Sequence, residues 1–172
     1  MSKKTRGITL SAVFSALCVI FLFIASVWPT GQLGLVALSS LFVAAAVIES
    51  GVVSGLYVFI ISSGLGLLIL PNKTAPLLFL IFFGYYPIIK CLIERINQTV
   101  IQWILKLIVF NASVTILWLF INELFLAFGD NPPEVWVIYL AGSAVFLLYD
   151  YGYTKLIWFY KERISRGRGT RE

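Results

Sequence analysis

Residues 9–28, TLSAVFSALCVIFLFIASVW, run without a single charged side chain. At about 1.5 Å per residue this stretch is about 30 Å long as a helix, the thickness of a bilayer's hydrocarbon core. It carries no polar face for water to wet, so its natural solvent is lipid. A β-barrel strand would alternate apolar and polar over about ten residues, whereas this run is unbroken, which selects helix. The chain that contains it has 172 residues, 60% hydrophobic and 12% charged. Its start does not read as a cleavable signal.

Outward from this first span, Pro29-Thr30-Gly31 punctuates a turn, and a second span covers about Leu33 to Ile48. Glu49-Ser50-Gly51 closes it. A third span follows from Val52 to Leu70, stopped by Pro71-Asn72-Lys73-Thr74, and a fourth runs from Ala75 to Lys90. Beyond the polar stretch Cys91–Thr99, a fifth covers Val100 to Phe120. The longest connection, Asn122 to Glu134, holds Gly129-Asp130-Asn131-Pro132-Pro133, which cannot span as a helix. A sixth span starts at Val135 and continues past Tyr149 to about Ile164. The expected fold is an all-α membrane protein with six transmembrane helices over residues 9–164, between basic cytoplasmic tails at 1–8 and 165–172. In the fourth span, Pro87 withholds an amide from the preceding turn, so Gly84-Tyr85-Tyr86-Pro87 should kink the helix.

Six spans put both ends on one face. That face then carries Lys3, Lys4, Arg6, Lys90, Arg95, Lys155, Lys161, Arg163, Arg166, Arg168 and Arg171, against Lys73 alone on the other. Positive loops stay in the cytoplasm, so both termini are expected there, and the location is the bacterial cytoplasmic membrane. The net charge of +5 comes from basic ends that flank membrane spans. It therefore suits anionic lipid headgroups, while nucleic acid is not an expected partner.

Several chemistries lack their residues. The chain has no histidine and two cysteines, Cys18 and Cys91, so the usual ligand sets for zinc, iron or haem are missing. No phosphate loop and no nucleophile elbow occur. Neither a metal, a cofactor nor an enzyme is expected.

Charges at membrane depth are costly and normally face a partner or water. Counting about 1.5 Å per residue, Lys106 lies about 9 Å inside the cytoplasmic face on the fifth span, and Asp150 about 8 Å inside it on the sixth. An intramembrane Lys106–Asp150 ion pair is one reading; separate snorkelling of Lys106 and solvation of Asp150 is the other. Glu49, Lys90 and Glu94 fall at the cytoplasmic level and form either a docking layer or an ordinary polar rim. At the outer level, Trp28, Gln32, Asn72, Lys73 and Glu123 are a candidate ligand pocket with aromatic and polar walls. Trp28 and Trp136 could equally belong to an interfacial aromatic belt.

On the first span, Ala12 and Ala16 are four residues apart, as are Ser11 and Ser15, and each pair makes a small-residue face suited to close helix approach. With this size, six spans, a short basic start and the Ala12–Ala16 motif, the whole chain resembles the substrate-binding S component of energy-coupling factor transporters. The resemblance implies capture of a small nutrient such as a vitamin from the outer side. It also implies that Ala12 and Ala16 dock on a transmembrane coupling subunit driven by two ATPases. In size and hydropathy the chain is also similar to the small rod-shape-determining membrane protein of cell-wall machinery, which implies a non-transporting scaffold or assembly factor of the cell envelope.

Overall fold

A computed structural model of the chain describes residues 3–28, 30–128 and 135–169. These residues form α1 (Lys3–Val27), α2 (Gln32–Ser50), α3 (Val52–Ile69), α4 (Thr74–Leu78), a π-helical turn (Phe79–Phe83), α5 (Tyr86–Ile93), α6 (Thr99–Phe128) and α7 (Val135–Gly169). No strand occurs among the described residues. Among the described residues five stretches are long and apolar enough to cross a bilayer: Gly7–Val27, Gln32–Ser50, Val52–Ile69, Thr74–Ile93 and Thr99–Ile116. The chain is a multi-pass helical membrane protein.

Two compact units divide it, Met1–Asn97 and Gln98–Glu172, where the sequence reading has one transmembrane domain over 9–164. The expected tails are largely helical, because α1 begins at Lys3 and α7 runs to Gly169. The connection expected at Asn122–Glu134 is helical as far as Phe128, because α6 continues past the expected end of the fifth span at Phe120; residues 129–134 lie outside the described residues.

In the first unit, α1 runs parallel to α3 and antiparallel to α2. Three contacts fix that order along the chain. A Cβ on Gly7 would sit 3.8 Å from Ser50 Cβ and 3.8 Å from Ser54 Oγ; the Ser62 hydroxyl donates to the Ser15 carbonyl at 3.4 Å; and a Cβ on Gly66 would sit 3.7 Å from Leu22 Cδ1. The reversal between α2 and α3 takes one residue, Gly51, at φ 94°, a conformation that a side chain would strain. Gly31, at φ 92°, plays the same part before α2.

The core of this unit joins Cys18, Leu22 and Ala25 of α1 to Val36, Val43, Ala46 and Val47 of α2, and to Val58, Leu70, Ala75, Phe79 and Ile88. Its outer surface is just as apolar, with Ile8, Ile20, Ile60 and Leu68 exposed. Such a surface has little hydrophobic reason to close up in lipid, so the helices associate through contact area, and small residues allow that contact. Ser39, Ser40, Ala44, Ala45 and Ala46 of α2 and Ser62, Ser63, Gly55 and Gly66 of α3 are all buried.

The fourth span breaks within the expected Gly84-Tyr85-Tyr86-Pro87 stretch, with a π-helical turn before it that the sequence did not indicate. Its break lies upstream of Pro87: the Gly84 amide donates to the Phe79 carbonyl at 2.6 Å, an i→i+5 bond, and a new helix starts at Tyr86. Pro87 sits in the first turn of α5, where its missing amide is not needed. The Tyr85 carbonyl accepts from the amides of Ile88 and Ile89 at 3.0 and 3.2 Å, so it is satisfied by backbone.

Candidate functional site

The second unit is an antiparallel hairpin of α6 and α7 joined by a seam of matched side chains. Lys106 Nζ lies 3.1 Å from Asp150 Oδ2, Phe110 stacks on Phe146 at 4.4 Å between ring centroids, and the Thr115 and Tyr139 hydroxyls are 2.7 Å apart. Positions 106, 110 and 115 of α6 thus face positions 150, 146 and 139 of α7, which run in the opposite order. Within this seam Lys106 is 5% exposed and Asp150 2%. The Trp103 ring lies under the ammonium at 5.5 Å, and the Asp150 carbonyl accepts from the Thr154 hydroxyl at 2.7 Å. Each buried charge thus faces its opposite, the arrangement that makes an ion pair tolerable in a low-dielectric surrounding.

In the first unit, Lys90 is 1% exposed and pairs with Glu94 one turn on at 2.9 Å, with the Tyr86 ring 5.9 Å from its ammonium. α5 packs on α2, whose last turn carries Glu49. Among the described residues no cluster of three or more histidine, cysteine or carboxylate side chains could hold a metal ion.

α1 presents its two small-residue pairs to different surroundings. Ser11 and Ser15 are buried, together with Cys18, whose thiol is in hydrogen-bonding contact with the Ser39 and Ser62 hydroxyls. Ala12 and Ala16 are exposed, flanked by exposed Val13, Leu17 and Ile20. Internal packing therefore uses the serines and leaves the alanines free. Sequence reasoning missed that the Ser11, Ser15, Ser26 and Ser63 hydroxyls are buried without a hydrogen-bond partner in the protein.

Of the outer residues, Trp28 is exposed and Gln32 has a buried amide nitrogen without a partner. Asn72 and Lys73 serve the turn between α3 and α4. The Asn72 side-chain oxygen accepts from the Thr74 amide at 2.9 Å, and Lys73 Nζ donates to the Leu67 and Leu70 carbonyls at 2.7 Å each. A lysine there satisfies carbonyls that the end of α3 leaves open and complements its dipole. Lys73→Met should therefore lower the stability of the purified protein by about 1 kcal/mol, measured as detergent unfolding. Unchanged unfolding would show the cap to be idle. Glu123 belongs to α6, and its side chain lies outside the described residues.

Comparison with family models, with curated proteins and with solved structures finds no match.

Proposed function

We propose that this chain is a non-catalytic, substrate-binding membrane subunit similar to the S component of an energy-coupling factor transporter. In this reading it crosses the bacterial cytoplasmic membrane six times, keeps both ends in the cytoplasm, and takes up a small nutrient such as a vitamin from the outer side. The observation that carries the reading is the division of labour on α1. Its serine face is consumed by α2 and α3, while Ala12 and Ala16 stay exposed one residue away. Two small residues one turn apart on an exposed helix allow the backbone of a second membrane subunit to approach closely. That subunit would be a coupling protein driven by two ATPases, and the ligand would enter from the outer end marked by Trp28 and Gln32.

A second reading, a scaffold or assembly factor of the cell envelope, draws support from Asn72 and Lys73, whose polar groups bind their own turn. Purification of the full-length protein from its native membrane in mild detergent separates the two. A coupling subunit recovered with two ATPases supports transport; envelope-assembly proteins without ATPases support the scaffold. Ala12→Leu with Ala16→Leu should reduce recovery of the coupling subunit at least about tenfold, as loss of about 1.4 kcal/mol does. Thermal stability should hardly change, because both sites are exposed. Full recovery with the double variant overturns the assignment of these alanines.

A further inference from the structure

α7 has 35 residues, about 52 Å of helix, and so exceeds the roughly 30 Å hydrocarbon core by about 20 Å. The excess is not uniform. The Asp150 carboxylate pairs with Lys106 inside the hairpin. Tyr151 follows directly, and Trp158 and Phe159 come a little over two turns on, exposed at 64%, 62% and 59%. Lys155 rests its ammonium 5.7 Å over the Tyr151 ring. Exposed aromatic side chains of this kind mark the level of the membrane interface. The helical backbone then continues to Gly169 through Lys161, Arg163, Arg166 and Arg168.

We propose that this end of α7 is a binding post for anionic phospholipid headgroups, with Trp158 and Phe159 setting its depth and the basic turns holding the phosphates. Lys161 and Arg163 lie about 4 to 8 Å beyond Trp158 along the axis, within the headgroup layer. Arg166 and Arg168 lie about 12 to 15 Å beyond, near one screening length of the charged surface. At about 100° per residue, positions 161 and 168 share one side of the helix while 163 and 166 share the opposite side. A nucleic acid or an acidic protein would approach a single face and meet half of these charges. Headgroups surround an emerging helix and meet all of them. The proposal does not depend on the transport reading.

The test uses the full-length protein in mild detergent, offered equal amounts of phosphatidylglycerol and phosphatidylcholine, with retained lipid counted by native mass spectrometry. Each basic residue near an anionic surface contributes about 1 kcal/mol, about fivefold in binding. The wild type should retain phosphatidylglycerol by more than about tenfold, and the preference should collapse as ionic strength rises. The variant Lys161→Gln, Arg163→Gln, Arg166→Gln, Arg168→Gln should retain both lipids within about twofold of each other. The variant Lys3→Gln, Lys4→Gln, Arg6→Gln should keep the preference. A wild type that holds both lipids equally, or holds nucleic acid or an acidic protein in their place, overturns the proposal. So does a quadruple variant that still prefers phosphatidylglycerol.

Discussion

Asp150→Asn in the full-length protein should lower its unfolding free energy by about 3 kcal/mol, measured by denaturation from a mild-detergent or lipid environment. The reason is asymmetry. Asp150 is 2% exposed and Lys106 5%, so the neutral amide removes the carboxylate charge that faces a buried ammonium. Stranding one member of a buried pair costs about 3–5 kcal/mol, and the lower end applies here because a lysine can snorkel. Lys106→Met should cost a similar amount by stranding the carboxylate. Together the two substitutions should cost clearly less than their sum, with a coupling of about 2 kcal/mol, because the double variant buries no charge. Additivity within about 0.5 kcal/mol would show that the 3.1 Å contact carries no energy. The same cycle on Lys90 and Glu94 should give a smaller coupling. Glu94 is 40% exposed and water can replace the lysine beside it.

The second large effect is expected at Gly84. A methyl group there would lie 2.7 Å from a ring carbon of Phe59 and 2.7 Å from one of Phe79, closer than carbon atoms pack. Those rings already face each other at 6.1 Å between centroids, and Phe79 is fully buried. Neither ring can withdraw without disturbing the core. Gly84→Ala should therefore destabilise by about 2 kcal/mol, within the usual cost of overpacking, and Gly84→Val by more. If Phe59→Ala, made together with Gly84→Ala, restores stability toward that of Phe59→Ala alone, the clash is the cause. Wild-type stability for Gly84→Ala would mean that the π-helical turn has room to shift.

Depth counting along the spans put Lys106 and Asp150 at one membrane level before any contact was known. That works because a helix rises by a constant step and both residues are isolated charges in apolar runs. The first three spans were legible for the same reason. Their ends carry Pro29, Gly31, Gly51 and Pro71, and the observed helices stop within a few residues of these breaks. The fourth span was only half legible. Pro87 announced irregularity, but the π-helical turn at Phe79–Phe83 and the close packing of Phe59 and Phe79 around Gly84 are not encoded in sequence spacing.

Small residues were the least legible. Ser11 and Ser15 look as suited to an outside partner as Ala12 and Ala16, since both pairs share one spacing and one size class. Nor did spacing reveal that Asn72 and Lys73 cap a turn, because a polar residue between spans can face a ligand or its own backbone. What composition, charge and the length of apolar runs determined was the solvent: lipid forces every backbone group into helix, and it does so whatever the helices touch. What the tertiary structure alone decided was which face of α1 turns inward and which carbonyls Lys73 satisfies. In lipid the inside and the outside of the protein are equally apolar, so hydrophobicity marks no direction, and only the fit of one helix surface against another selects a face.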